Sequence, residues 1–466
     1  MSGIFSRIRL AVIICLLAVI NINAQNPKDD LLRKKVGQMI MVGVYGPFLY
    51  LQDSLKYDLQ HRSLGGVIYY SYNVLNPQQV KNLSDSIRLA APEIPPFIAI
   101  DQEGGNVARL TSTNGFSRTY TAYRLGSIFK AEDSTRAQAS RMAGWLNKSG
   151  ISVNFAPVVD VRVNPKSPGL ASKERLFSGN PDSVYYHSSW FIDEFHKKNI
   201  LTSLKHFPGH GSASVDSHAG LPDVSHTWSD MELEPYRKLF ADGYKDAVMV
   251  AHLYNSQIDS VYPGSLSYNT ITRLLRQQLG FEGVVITDEL TMGAIESVYS
   301  MDKAAELAIN AGADILLYKI NDTDNLTSLV DHLQNLVLQK VREGIISEQR
   351  IDESYNRIVA LKARYLNYTA VEENRPVSVP ENFALQNYPN PFNPETIIMA
   401  EVPESSEMSI KVYDLQGQMI EEVAKGRFEQ GVHRFRFNGS NLSSGVYFVR
   451  MITPRHSVSS KILLLR

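Results

Sequence analysis

Between residues 29 and 366 the chain alternates short apolar runs with longer amphipathic segments, and that rhythm admits few folds. The runs cover residues 38–44, 66–70, 97–101, 153–159, 201–206, 248–252, 284–288 and 315–318. Each is rich in β-branched or other apolar residues, the texture of strands buried on both faces of a parallel sheet. Residues 77–91, 134–149, 181–198, 231–242, 271–279, 303–311 and 326–342, lying between them, carry helical periodicity. About eight strands alternating with helices predict a (β/α)8 barrel over 29–366. A doubly wound open sheet is the alternative, but no strand leads into the glycine fingerprint of a dinucleotide site, which favours the barrel.

Past residue 366 the texture changes. Residues 367–384 form a polar linker containing Pro376 and Pro380. Residues 409–413, 433–437, 446–451 and 459–465 then largely alternate apolar and polar, with Gly417, Gly431 and Gly445 as turns. A small all-β sandwich over 385–466 is expected. At the other end Arg7 and Arg9 precede an apolar run from Leu10 to Ile20 and a cleavage-like Ile22-Asn23-Ala24, so 1–24 read as a secretory signal peptide. Cys15, the only cysteine, lies inside that run, which leaves the mature chain no disulfide and no thiolate. No later stretch is apolar enough for a stable membrane span. A net charge of −1 offers nothing to attract nucleic acid or anionic lipid.

The ionisable residues fall where barrel enzymes keep theirs. Asp101, Lys205 with His206, and Asp288 each sit at the C-terminal end of a predicted strand. Lys205-His206-Phe207-Pro208-Gly209-His210-Gly211 continues to Asp216-Ser217-His218 as one polar loop. Its histidines and aspartate are metal-ligand types, but a paired i, i+4 histidine site needs a helix, and Pro208 with Gly209 removes it. Hydrogen-bonded turn residues are a second reading. The third is an acid/base dyad: in extended chain Asp216 and His218 point the same way, so the carboxylate orients the imidazole. The intervening glycines suggest a loop that closes over a ligand.

Asp288 complements that dyad as a carboxylate nucleophile; the alternative is an N-cap aspartate. Glu289 is the rival carboxylate, which capping geometry turns aside. The third cluster, Asp101-Gln102-Glu103-Gly104-Gly105-Asn106-Val107-Ala108-Arg109, offers paired acceptors, an arginine, and glycines that let a ligand approach the backbone; a tight turn with a solvated charge pair is the plainer alternative.

Together these residues resemble glycoside hydrolase family 3, in its β-N-acetylglucosaminidase branch. The branch reads Lys-His-Phe-x-Gly-His-Gly, four residues, then Asp-Ser/Thr-His, as residues 205–218 do. Val285-Ile286-Thr287-Asp288 with Met292 resembles its nucleophile strand, and Asn154-Phe155-Ala156-Pro157-Val158-Val159-Asp160 its fourth strand. By resemblance Asp288 is the nucleophile, His218 the acid/base and Asp216 its partner. Asp101, Arg109, Lys205 and His206 would hold sugar hydroxyls, with Arg175 a further contact; Asn106 stands where an arginine is usual. Many members carry a second α/β domain that supplies a carboxylic acid/base, and the length here leaves no room for one. No cofactor and no metal are expected.

The C-terminal piece resembles the sorting domain of type IX secretion substrates of the Bacteroidetes. The likeness rests on Tyr388-Pro389-Asn390-Pro391-Phe392-Asn393-Pro394, Val412-Tyr413-Asp414-Leu415-Gln416-Gly417 and Leu442-Ser443-Ser444-Gly445-Val446-Tyr447. It implies passage through the periplasm and secretion machinery as a partner, ending in release or retention at the cell surface; a sugar-binding sandwich is the alternative. The expectation is a secreted, retaining exo-β-N-acetylglucosaminidase acting on peptidoglycan- or chitin-type glycans. Its rivals are a β-glucosidase or β-xylosidase, phosphorolysis in place of hydrolysis, and a non-catalytic surface carbohydrate-binding protein.

Overall fold

The computed structural model describes residues 27–45, 51–91, 93–217, 220–319, 328–366, 383–388 and 390–465. The expected signal peptide lies outside them, as do His218 and nearly all of the expected linker. The chain divides into two compact units, one ending at Tyr368 and the other beginning at Thr369.

The first unit is a barrel. Strands β1 (Ile40–Gly43), β2 (Gly66–Tyr69), β3 (Phe97–Ile100), β4 (Val153–Asn154), β5 (Leu201–Phe207), β6 (Ala247–Val250), β7 (Val284–Thr287) and β8 (Leu316–Tyr318) run parallel in the order β7-β6-β5-β4-β3-β2-β1-β8. A bridge between Ile286 and Ile315 closes the ring, with the Thr287 amide donating to the Ile315 carbonyl at 3.0 Å. Every strand residue is buried, as the continuous apolar runs require. Asparagine and proline start two of the surrounding helices. Asn76 Oδ1 accepts from the Gln79 amide ahead of Pro77–Ala90, and Asn180 Oδ1 from the Asp182 amide ahead of Pro181–His196. Both place proline at the first helical position, where its missing amide costs nothing. Helices Pro27–Gln38, Asp53–His61 and Glu348–Tyr365 join those the sequence pattern marks. The first two are short and mostly polar, with only a few residues turned inward, so their periodicity is weak.

The second unit pairs two antiparallel sheets. One is three-stranded, with β13 (Gly431–Asn438), β10 (Glu395–Val402) and β9 (Ala384–Tyr388) in that order. The other is four-stranded: β12 (Met419–Phe428), β11 (Ser406–Tyr413), β14 (Gly445–Ile452) and β15 (Ser457–Leu464). Ile398, Ala400 and Val402 of one sheet and Met408, Ile410 and Val412 of the other share one core, the alternation of a sandwich. β9, β10 and β12 were not expected. In β10, Ile397 and Met399 on the outer face mask the two-residue period, and most of β12 faces solvent.

Candidate active site

At the C-terminal ends of the barrel strands lies a cleft of about 520 Å³, lined by Asp101, Arg109, Arg175, Lys205, His206, Asp216 and Asp288 among others. Seven of the eight site residues expected from sequence therefore meet around one space. The eighth, His218, lies outside the described residues.

The grip on one wall is an ionic network. Lys205 Nζ, buried at the end of β5, lies 2.8 Å from Asp101 Oδ1 and 2.8 Å from Glu103 Oε1. Asp101 Oδ2 accepts from Arg109 Nη2 at 3.3 Å. Burial raises the Asp101 carboxyl, but Lys205 and Arg109 outweigh it and hold the group below its ordinary range. Burial likewise lowers the Lys205 ammonium, and Asp101 and Glu103 outweigh it in turn. Glu103 and Arg175 form a two-pronged pair, Nε to Oε2 at 2.8 Å and Nη2 to Oε1 at 2.7 Å. Both carboxylates of the expected acceptor pair line the cleft and both are engaged within the protein, Glu103 by Arg175 and Lys205 and Asp101 by Lys205 and Arg109.

Gln102, whose role the sequence does not reveal, shapes the turn. Its Oε1 accepts the Arg109 and Leu110 amides, each at 2.9 Å, which folds the loop back and aims Arg109 at Asp101. The adjacent glycines permit this turn. Gly104 and Gly105 have φ of +101° and +58°, and a Cβ on Gly105 would lie 2.4 Å from Thr121 Cγ2.

The loop after β5 is pinned by buried carboxylates. Asp160 accepts from His206 Nδ1 at 2.7 Å and from the His210 amide at 2.8 Å, which turns His206 Nε2 toward Arg175 Nη2, 3.4 Å away. Glu232 Oε2 accepts from the Gly211 amide at 2.9 Å. A Cβ on Gly209 would meet Glu232 Cβ at 2.5 Å, and one on Gly211 would lie 1.7 Å from the Val161 carbonyl oxygen. These glycines permit close packing of residues 209–211 against Glu232 and Val161. Buried His210 has no partner at Nδ1 among the described residues, and burial, then the His206 charge, push it down to about 4. Asp216 stands against the loop after β4, where a Cβ on Gly169 would come within 2.6 Å of its Oδ2.

Asp288 follows β7 and caps nothing. The next helix begins at Gly293, with Met292 before it, and Asp288 Oδ1 accepts the neighbouring Glu289 amide at 2.9 Å. Burial raises its carboxyl, but His252 and His206, the Glu289 amide and Lys205 together hold it below the usual range, ionised. His252 lies two residues beyond the end of β6, its Nε2 donating to the Glu289 carbonyl at 2.8 Å and its Nδ1 2.6 Å from Ser265 Oγ. Glu289, the rival carboxylate, also lines the cleft, its Oε1 accepting the Thr291 amide at 2.8 Å and the Lys319 amide at 3.0 Å. His252 and Asp160 were not singled out, although both end segments that the sequence marks. Among the described residues no three metal-ligand side chains converge.

Residues 31–361 match the model of the glycosyl hydrolase family 3 N terminal domain. The chain belongs to glycosyl hydrolase family 3. A β-hexosaminidase A of Pseudoalteromonas piscicida is 33% identical over 67% of this chain and 56% of its own length, so the chain spans little more than half of that relative. A β-hexosaminidase of Tolumonas auensis is 36% identical over 59% of this chain and 81% of its own. The structure of a family 3 β-N-acetylglucosaminidase from a Paenibacillus species superposes with a TM-score of 0.66 at 34% identity, covering 72% of this chain and 62% of that one. A Beutenbergia cavernae β-N-acetylhexosaminidase does so with a TM-score of 0.65 at 27% identity, covering 73% of this chain and 100% of that one. Residues 386–465 match the model of a secretion system C-terminal sorting domain. No helix among the described residues is long and apolar enough to cross a membrane.

Proposed function

We propose that this family 3 barrel is a retaining exo-β-N-acetylglucosaminidase, exported through its sorting domain to act on GlcNAc-containing glycans of the peptidoglycan or chitin type. One observation carries the reading: an ionised Asp288 shares a cleft with the Asp101–Lys205–Arg109 network, a carboxylate beside a polar grip. The likeness to β-hexosaminidases and to a β-N-acetylglucosaminidase supports the sugar. Asp101, Arg109, Arg175, Lys205 and His206 hold the hydroxyls. An Asp288 oxygen attacks the anomeric carbon, and the bond to the leaving oxygen breaks as His218, oriented by Asp216, gives that oxygen its proton. Water then attacks the same carbon, His218 takes the water's proton, and the bond to Asp288 breaks, releasing the sugar with its configuration retained.

A panel of aryl glycosides with anomer analysis of the first product tests this. Turnover of the N-acetylglucosaminide well above the glucoside and xyloside, with β product first, is expected. Asp288→Asn should reduce kcat by several orders of magnitude; near-normal turnover would remove Asp288 as nucleophile. Product composition with and without phosphate separates hydrolysis from phosphorolysis.

A further inference from the structure

The cleft has a feature that neither the grip nor the nucleophile uses. Its lip at the end of β2 is aromatic: Tyr70 and Tyr72 both line the cleft, their rings stacked with centroids 5.6 Å apart and planes inclined by 24°. Tyr70 packs against the barrel core, whereas Tyr72 does not and is 42% exposed. Tyr45, just beyond β1, is 67% exposed and lies close to Tyr72. Aromatic rings of this size ordinarily bury themselves, because each removes a large apolar area from water.

The turn that presents them is rigid by construction. Asn73 is fully buried. Its Oδ1 accepts the Tyr70 amide at 2.7 Å and its Nδ2 donates to the Val44 carbonyl at 2.8 Å, tying the end of β2 to the end of β1. Gln79 Nε2 donates to the Asn73 carbonyl at 3.1 Å, fastening the turn to the following helix. One buried asparagine thus fixes the ring of Tyr72 in the open, on a short turn with no slack. A preorganised aromatic face gives up little entropy when a ligand covers it.

Resting on the glycosidase reading above, we infer that Tyr72, backed by Tyr70 and continued by Tyr45, is a stacking platform for a second pyranose ring, making the preferred substrate an oligosaccharide and not a GlcNAc on a small aglycone. The C–H face of a β-linked sugar is flat and apolar, and it suits an aromatic ring while its equatorial hydroxyls stay in water. An exo-acting enzyme releases the terminal residue, so the second ring belongs to the leaving group.

The test compares kcat/KM on di-N-acetylchitobiose with kcat/KM on β-N-acetylglucosaminyl fluoride, which has no second ring and needs no protonation to leave. In Tyr72→Ala the ratio of disaccharide to fluoride should fall about three- to tenfold, the usual worth of one aromatic contact. Tyr72→Phe, which keeps the ring, should restore it. If the wild-type protein turns over both compounds and Tyr72→Ala leaves the ratio unchanged, the platform is wrong and the glycosidase reading stands. If the wild-type protein turns over neither, the glycosidase reading fails and takes the platform with it. Tyr45→Ala, measured with tri-N-acetylchitotriose in place of the disaccharide, checks the continuation: an unchanged ratio there limits the platform to Tyr72.

Discussion

Glu232 and His210 titrate in opposite senses beneath the same turn. Burial first, and then the Asp160 charge, outweigh the Gly211 amide and push the Glu232 carboxyl up to about 8. A glutamic acid in an unfolded chain ionises near about 4.3. Folding therefore takes up a proton between those values, and the stability Glu232 contributes, full below about pH 4.3, is lost as pH rises toward about 8, by at most about 1.4 kcal/mol per pH unit. His210, pushed down to about 4, does the reverse. Its contribution is full above the unfolded value of about 6.5 and is lost as pH falls through about 4. Their slopes oppose one another between about pH 4.3 and 6.5, so only the interval from about 6.5 to 8 isolates Glu232. The melting temperature of Glu232→Gln minus that of wild type should widen across this interval and level off above it. A difference flat with pH would mean that Glu232 is already ionised in the fold.

Asp160 is the other residue whose loss should tell. It accepts the His206 amide, His206 Nδ1 and the His210 amide at once, all in a buried setting. Asp160→Ala strands three donors, and at about 1–3 kcal/mol for each buried group left unsatisfied it should lose at least about 3 kcal/mol, read as a fall in urea midpoint. Restoring a carboxylate as Asp160→Glu should not recover it, because the longer side chain does not fit a fully buried site.

At the scale of elements, close approach decides what the glycines do. A Cβ on Gly211 would lie 1.7 Å from the Val161 carbonyl oxygen, backbone against backbone, and neither segment can yield. Gly211→Ala should give no soluble folded protein. Gly169→Ala differs: φ is +73° and the nearest atom is Asp216 Oδ2, the end of a side chain. Strain of about 1–2 kcal/mol is expected, with Asp216 pushed from its place, so kcat/KM on an aryl N-acetylglucosaminide should drop at least about tenfold with only a modest fall in melting temperature. Equal loss in a variant that melts as wild type does but keeps its alkaline activity limb would argue against Asp216 as the partner of His218.

The same scale shows what the sequence discloses and what it hides. The eight barrel strands are legible because each is buried on both faces and reads as an unbroken apolar run. The convergence of Asp101, Lys205, His206 and Asp288 is legible from their strand-end positions. The pairing of Glu103 with Arg175 is not, since 72 residues separate them and only the pairing of β3 with β4 and the path of the long loop after β4 bring them together. Asp160 and His252 carried a readable signal, an ionisable group at the end of an apolar run. Glu232 carried none, because burial is what makes it unusual, and a glutamate among Asp230, Met231 and Leu233 looks like any helix start.

For the whole molecule, the division of labour between the two units is the remaining question, and the cleft bears on it. Every described residue that lines it falls between Ile68 and Lys319, and the barrel closes on itself through β7 and β8 with its own core. The second unit has a separate core of its own, and residues 386–465 match a sorting domain with no chemistry implied. A chain ending at Leu366 should then keep kcat/KM on an aryl N-acetylglucosaminide within about twofold, because no group that touches the substrate is removed. In the bacterium that makes it, the same truncation should leave activity inside the cell envelope and deplete it from the surface and the medium. Fractionated activity assays on the two strains measure both effects. Loss of kcat/KM in the purified truncated chain would give the sandwich a part in catalysis, and unchanged activity outside the cell would mean that export does not depend on it.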